Sequence, residues 1–82
     1  MEIERLVKMA NDIGAFFETD KNADRAAAGV ADHLKRFWDP RMRRQILEYF
    51  DEKEGKGLKK VVLDALRTHG HDIAPMDAAP RG

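Results

Sequence analysis

The chain has 82 residues, no cysteine and no net charge, since fifteen Lys and Arg side chains balance fifteen Asp and Glu. This length allows one domain with a thin core. The missing cysteine excludes disulfides, thiolate metal ligands and cysteine nucleophiles, and weakly favours a reducing compartment. Neutrality argues against a dedicated binder of nucleic acid or anionic membranes. Charges from Glu2 onward argue against a signal peptide, and no apolar run approaches the ~20 residues of a membrane span. We therefore expect an intracellular protein.

The first half of the chain predicts two helices. Apolar residues at three- and four-residue steps predict a helix from Glu2 to Glu18. Asn22 or Asp20 is placed to cap a second helix over Ala23 to Phe37, with either Phe37 or Trp38 turned inward at its end. We expect Gly14, at the edge of the first apolar stripe, to pack closely against the small residues 26–29 of the second helix.

The second half predicts two further helices and a tail. The segment Trp38-Asp39-Pro40 ends the second helix and begins a third, because proline disfavours helix before it and favours the first helical position. The third helix runs from Pro40 to about Glu52 and the fourth from Leu58 to Thr68. Residues after Gly70 lack periodicity and predict a disordered tail. The expected fold is all-α: a small bundle of three to four short helices over residues 1–69, with a flexible tail over 70–82.

A basic corner surrounds Trp38-Asp39-Pro40. Five cations and one carboxylate give residues 35–44 a net charge of +4. This pattern favours either a docking patch for an acidic protein surface, a phosphate or RNA, or a plain solvated corner. Arginine and tryptophan are enriched at interfaces, which tips the interpretation toward docking. Trp38 by itself is more typical of a core, where it can stack on the guanidinium of Arg43 and fix the corner.

Other side chains offer weaker signals. Phe16 and Met9 lie off the apolar stripe, which mildly indicates an interface. His33 fits either the edge of the core or an interface. His69 and His71 lack a third partner at a defined position, so we expect no metal site.

No catalytic site is expected. The chain has no serine and no cysteine, and its threonines are Thr19 and Thr68. Nucleophilic catalysis is therefore improbable. The acidic residues are scattered over polar faces and form no acid/base pair.

Two segments resemble the small delta subunit of soluble NAD-dependent formate dehydrogenases. They are residues 6–17 (LVKMANDIGAFF) and residues 33–44 (HLKRFWDPRMRR), and residues 58–66 are compatible with the same family. The resemblance covers residues 3–68. It implies a non-catalytic accessory subunit of a cytoplasmic molybdenum or tungsten enzyme that oxidises formate to carbon dioxide and reduces NAD. It also implies that molybdopterin, iron–sulfur clusters, FMN and NAD belong to the larger subunits, with no cofactor in this chain. The absence of cysteine and of a Rossmann fingerprint agrees with that division.

The resemblance suggests partners and a surface. We expect the chain to dock on the large catalytic subunit, in a complex with the electron-transfer subunits, and to support assembly or stability. The expected partner-binding residues are Met9, Asn11, Phe16, His33, Lys35, Arg36, Trp38, Asp39, Arg41, Arg43 and Arg44. The alternatives are a transient maturation factor for cofactor insertion, a small helical nucleic-acid binder, which neutrality makes unlikely, and a self-associating bundle.

Overall fold

A computed structural model describes residues 2–75, which form four α-helices and no strand. The all-α prediction is confirmed. The helices are α1 (Ile3–Phe17), α2 (Ala23–Phe37), α3 (Pro40–Lys53) and α4 (Lys60–Ile73). The bounds of α2 are as predicted, and both ends of α1 and the start of α3 lie within one residue of the predicted positions.

Side-chain caps fix the starts of α2 and α3. Asn22 Oδ1 accepts the backbone N–H of Arg25 at 3.0 Å, and Asp39 Oδ1 accepts that of Met42 at 3.0 Å, with Pro40 beginning α3. These bonds satisfy N–H groups that have no partner inside the helix. Asp20 supports the turn before α2 instead: the N–H of Asn22 and then the guanidinium of Arg25 lower the pKa of the Asp20 carboxyl.

The core lies between the four helices, and α2 with α4 forms the most extensive helix pair. α1 packs against α2, α3 and α4, and α3 packs against α1 and α4. Small side chains on α2 let α4 approach closely. Trp38 is only 5% exposed, so of the two candidates at the end of α2 it is the core residue. The buried residues are Leu6, Ala10, Ala26, Ala27, Val30, Ala31, Leu34, Trp38, Ile46, Leu58, Val61, Val62, Ala65, Leu66 and Ile73.

The predicted packing of Gly14 against α2 is wrong. A Cβ on Gly14 would lie 2.8 Å from Cγ2 of Val62 and 3.0 Å from Cγ1 of Val61, so Gly14 admits α4 rather than α2. The close contact between α1 and α2 lies at Gly29, where a Cβ would overlap the ring of Phe17. Periodicity identified the inward face of α1, but it does not specify which helix meets that face.

The predicted end of the fourth helix at Thr68 is also wrong. α4 continues to Ile73 through a distortion at His69, whose φ of −117° and ψ of 21° are not helical. Ile73 is fully buried and Pro75 is buried as well, so residues 70–75 pack with the fold. Burial of Ile73 offsets the local helix-ending signals of His69 and Gly70. The rest of the predicted tail, residues 76–82, lies outside the described residues.

Candidate partner-binding surface

Two residues of the basic corner, Trp38 and Arg43, mainly hold the fold together. Trp38 is buried, and Arg43 donates from Nε to the carbonyl oxygen of Trp38 at 3.1 Å and from Nη1 to that of Ile73 at 3.1 Å. One guanidinium thereby joins the end of α2 to the end of α4. Arg43 therefore fixes the corner through hydrogen bonds to backbone carbonyls.

Positive side chains around the corner offset the partial negative charge at the ends of α2 and α4. The last carbonyls of a helix carry partial negative charge, and α2 and α4 both end at Arg43. Lys35 and Arg36 lie in the last turn of α2, where positive charge is stabilising. Part of the net positive charge seen in the sequence therefore stabilises the fold.

The remaining corner residues are more accessible. Asp39 is exposed, but one of its oxygens caps α3. Arg41 is exposed and lines a shallow depression of about 340 Å³ together with Asp39, Pro40 and the half-buried Arg44. The corner thus presents Lys35 and Arg41 to a partner, with Arg44 beside them, while Arg36 is paired with Asp32.

Asn11, another predicted contact residue, is used inside the chain. Its Nδ2 donates to the carbonyl of Gly57 at 2.9 Å, and its Oδ1 accepts the backbone N–H of Lys59 at 2.8 Å. Both halves of the amide therefore hold the loop between α3 and α4 against α1. Met9 is half-buried and packs against the core.

An aromatic row, consisting of Phe16, Phe17, His33 and Phe37, crosses the surface of α1 and α2. The centroids of Phe16 and Phe17 are 5.0 Å apart in an edge-to-face arrangement. Phe17 and His33 are 6.4 Å apart, and His33 and Phe37 are 4.7 Å apart with a 43° tilt. Phe16 is 72% exposed and Phe37 is 70% exposed. The row is a continuous aromatic patch with an accessible ring at each end.

The placement of the row follows from the spacing of residues on α2. Gly29, His33 and Phe37 are four residues apart and so share one side of the helix. Phe17 occupies the space that the missing side chain of Gly29 leaves, and it brings Phe16 beside the same face. Phe16 and His33 were predicted partner-binding residues. Phe37 was treated as a possible core residue, although its four-residue spacing from His33 was the signal that places both on one face.

Near the row, α1 and α2 each carry an ion pair. On α2, Arg36 Nε lies 2.9 Å from an oxygen of Asp32. On α1, Lys8 Nζ lies 3.5 Å from an oxygen of Asp12. All four side chains are well exposed, so these pairs contribute little stability, but each carries no net charge.

The described part of the chain gives no sign of an acid/base centre at the row. Lowered pKa values occur at Asp20 and at Asp64, where the ammonium of Lys60 and then the guanidinium of Arg67 lower the pKa of the carboxyl. Both are surface ion pairs. Residues 2–75 hold no group of three or more His, Cys, Asp or Glu that would suit a metal ion, and no helix there is long and apolar enough to cross a membrane.

Comparison with known proteins identifies one family. A family model described as the NADH-dependent formate dehydrogenase delta subunit, FdsD, matches residues 5–66. The match runs from α1 into α4 and includes the whole aromatic row and the basic corner. No curated protein and no solved structure matches the chain significantly.

Proposed function

The chain belongs to the family of NADH-dependent formate dehydrogenase delta subunits, and we propose that it is a non-catalytic subunit that docks on the large catalytic subunit and supports assembly or stability of the complex. The observation that carries the docking role is the aromatic row. Phe16 and Phe37 are large hydrophobic side chains left more than two-thirds exposed by a domain that buries its other helix stripes. A contiguous exposed apolar patch marks an interaction site, whereas scattered exposed residues do not.

The accessible cations give the same region a second contribution. Lys35, on α2, and Arg41, at the start of α3, lie on either side of Phe37 in sequence. Rim charges of this kind orient a partner and speed its encounter more than they add affinity. The proposed surface therefore combines an aromatic centre with a basic edge.

We further propose that the chemistry of the complex belongs to its larger subunits. This chain has no cysteine with which to ligate an iron–sulfur cluster and no dinucleotide fingerprint. We also assign molybdopterin, FMN and NAD to the larger subunits, because the chain belongs to the delta-subunit family. The subunit would then affect how much intact enzyme exists rather than how fast each intact enzyme turns over.

The test is to purify the formate dehydrogenase complex from cells with and without this chain. We expect stoichiometric retention of the tagged chain in active enzyme. Without it, we expect a lower yield or thermal stability and an unchanged rate of formate-dependent NAD reduction per molybdenum or tungsten centre. An intact complex with a normal metal content and no turnover would contradict the non-catalytic role. Retention only in inactive, cofactor-poor complexes would instead establish the maturation factor.

A further inference from the structure

On the premise that the chain docks as proposed above, we propose that the aromatic row supplies the affinity, and that its binding site on the catalytic subunit is an apolar groove that carries no net charge where it covers the row. This choice assigns separate roles to two neighbouring features, the row and the basic corner. It rests on the exposure of the rings, the state of the nearby charges, and the position of His33 between two phenylalanines.

The exposed rings are the part of the surface that gains most from burial. Phe16 and Phe37 present most of their area to solvent at the two ends of the row, while Phe17 and His33 are half-buried between them. The inner rings are already held by Gly29 and by the helices, so the row is preorganised and little ordering entropy is lost on docking. Buried aromatic side chains in such settings dominate interface energetics.

The ion pairs beside the row argue for an uncharged partner surface over the rings, whereas the exposed Lys35 and Arg41 belong to the basic corner. The Asp32–Arg36 pair and the Lys8–Asp12 pair are each neutral. Arg43 is engaged with the carbonyls of Trp38 and Ile73. A groove lined with carboxylates would have to compete with these pairs for its partners, whereas an apolar groove covers the row and leaves the pairs solvated at its edge.

Substitutions at His33 test whether the groove is apolar. Its ring lies 4.7 Å from that of Phe37 and 6.4 Å from that of Phe17, so any group that covers the row also covers position 33. An apolar groove accepts another ring there and rejects a charge. We therefore expect His33→Phe to bind at least as tightly as the wild-type chain and His33→Glu to bind much more weakly.

The experiment titrates the purified full-length chain into formate dehydrogenase complex purified without it, and measures the Kd at low and high salt. We expect Phe16→Ala/Phe37→Ala to weaken binding by at least about 30-fold, the effect of losing one hot-spot residue. The matched control, Lys35→Ala/Arg41→Ala, removes two exposed charges and is expected to change the Kd less than about threefold. Circular dichroism verifies that each variant is folded.

Salt separates the row from the basic corner. Burial of rings is insensitive to ionic strength, whereas attraction between exposed charges is screened within about 8–10 Å at physiological salt. We expect the wild-type Kd to change less than about threefold from about 50 mM to about 500 mM salt. Binding that weakens steeply with salt and survives the loss of both rings would overturn this inference while leaving the docking role intact. Failure of the wild-type chain to bind under any of these conditions would overturn the docking role itself.

Discussion

Arg43 joins three parts of the fold through one side chain. It lies in the first turn of α3, and its guanidinium reaches the carbonyls of Trp38 and Ile73 at the ends of α2 and α4. These contacts are part-buried, and the Ile73 contact spans thirty residues of sequence. A cation at the start of a helix is electrostatically unfavourable for that helix, so its benefit comes from the other two helix ends.

We expect Arg43→Ala to lower the free energy of unfolding by about 2–3 kcal/mol, because it removes charge-assisted bonds and leaves part-buried carbonyls short of donors. Urea denaturation followed by the fluorescence of Trp38, the one tryptophan in the chain, measures the change. Arg41→Ala is the matched control and is expected to change stability by less than about 0.5 kcal/mol, as exposed positions usually do. Equal effects of the two substitutions would contradict the structural role of Arg43.

Gly29 affects both the stability of the fold and the proposed docking surface. We expect Gly29→Ala to destabilise the fold by about 1–3 kcal/mol, because the new methyl group forces the Phe17 ring out of its seat. Displacing Phe17 also breaks the aromatic row, so docking should weaken in the same variant. Thermal denaturation and the binding titration measure the two effects.

Gly70→Ala is the matched control for that substitution. A Cβ at Gly70 meets only the side chain of Leu47, at an ordinary distance of 3.8 Å. We expect it to be neutral, or to stabilise by up to about 1 kcal/mol through helix propensity. A Gly29→Ala variant as stable as Gly70→Ala would show that Phe17 is free to move aside.

At the scale of helices, the last turn of α4 completes the core. Ile73 lies seven residues after the buried Leu66, which places both on one side of the helix, and it is fully buried. The carbonyl of the same residue receives Arg43. The end of α4 therefore supplies both an apolar side chain and an acceptor to the rest of the bundle.

We expect Ile73→Ala to reduce the free energy of unfolding by about 2–5 kcal/mol, the usual cost of truncating a buried isoleucine. A chain that ends after Thr68 should melt far below one that ends after Pro75, or fail to fold. Calorimetry on the two truncations tests this. Equal melting temperatures would mean that the last turn of α4 contributes nothing to the core.

The helices also show how far sequence patterns reach. Local signals were sufficient for α2, because Asn22 caps one end and Asp39-Pro40 closes the other. They failed at the end of α4, where His69 and Gly70 indicate a stop and the tertiary burial of Ile73 overrides it.

The candidate site could be predicted from the sequence only in part, because local patterns do not reveal contacts between residues far apart in the chain. Phe16 was singled out because it lies off the apolar stripe, and His33 because it fits either the edge of the core or an interface. Asn11 and Arg43 were predicted to contact a partner, but each has a hydrogen-bond acceptor within the chain that lies 46 and 30 residues away respectively, beyond any local pattern. Phe37 was missed because adjacent aromatic residues compete for one inward position, and the packing around Trp38 decides which of them is buried.

At the scale of the whole molecule, the outer rings of the aromatic row are separable from the core. The buried residues are contributed by all four helices, while the outer rings of the row, Phe16 and Phe37, lie outside that set. A surface with this property can change its partner without changing its fold.

We therefore expect Phe16→Ala/Phe37→Ala to leave the free energy of unfolding within about 0.5 kcal/mol of the wild-type value, as is usual for surface positions. The same variant should bind less of a hydrophobic dye such as ANS in its folded state. Fluorescence titration and urea denaturation measure both quantities. A large loss of stability would mean that the outer rings hold the α1–α2 pair together.

The bridge from Asn11 to the loop between α3 and α4 has a consequence for the motions of the protein. The amide of Lys59 precedes α4 in sequence, yet its hydrogen is held by a side chain 48 residues away. That amide can exchange with solvent only when its hydrogen bond to Asn11 breaks, so it should exchange more slowly than an exposed loop amide. We expect Asn11→Ala to speed its exchange by at least about tenfold while the amide of Leu34 is much less affected, measured by hydrogen–deuterium exchange. A single loop amide would then report the local separation of this loop from α1.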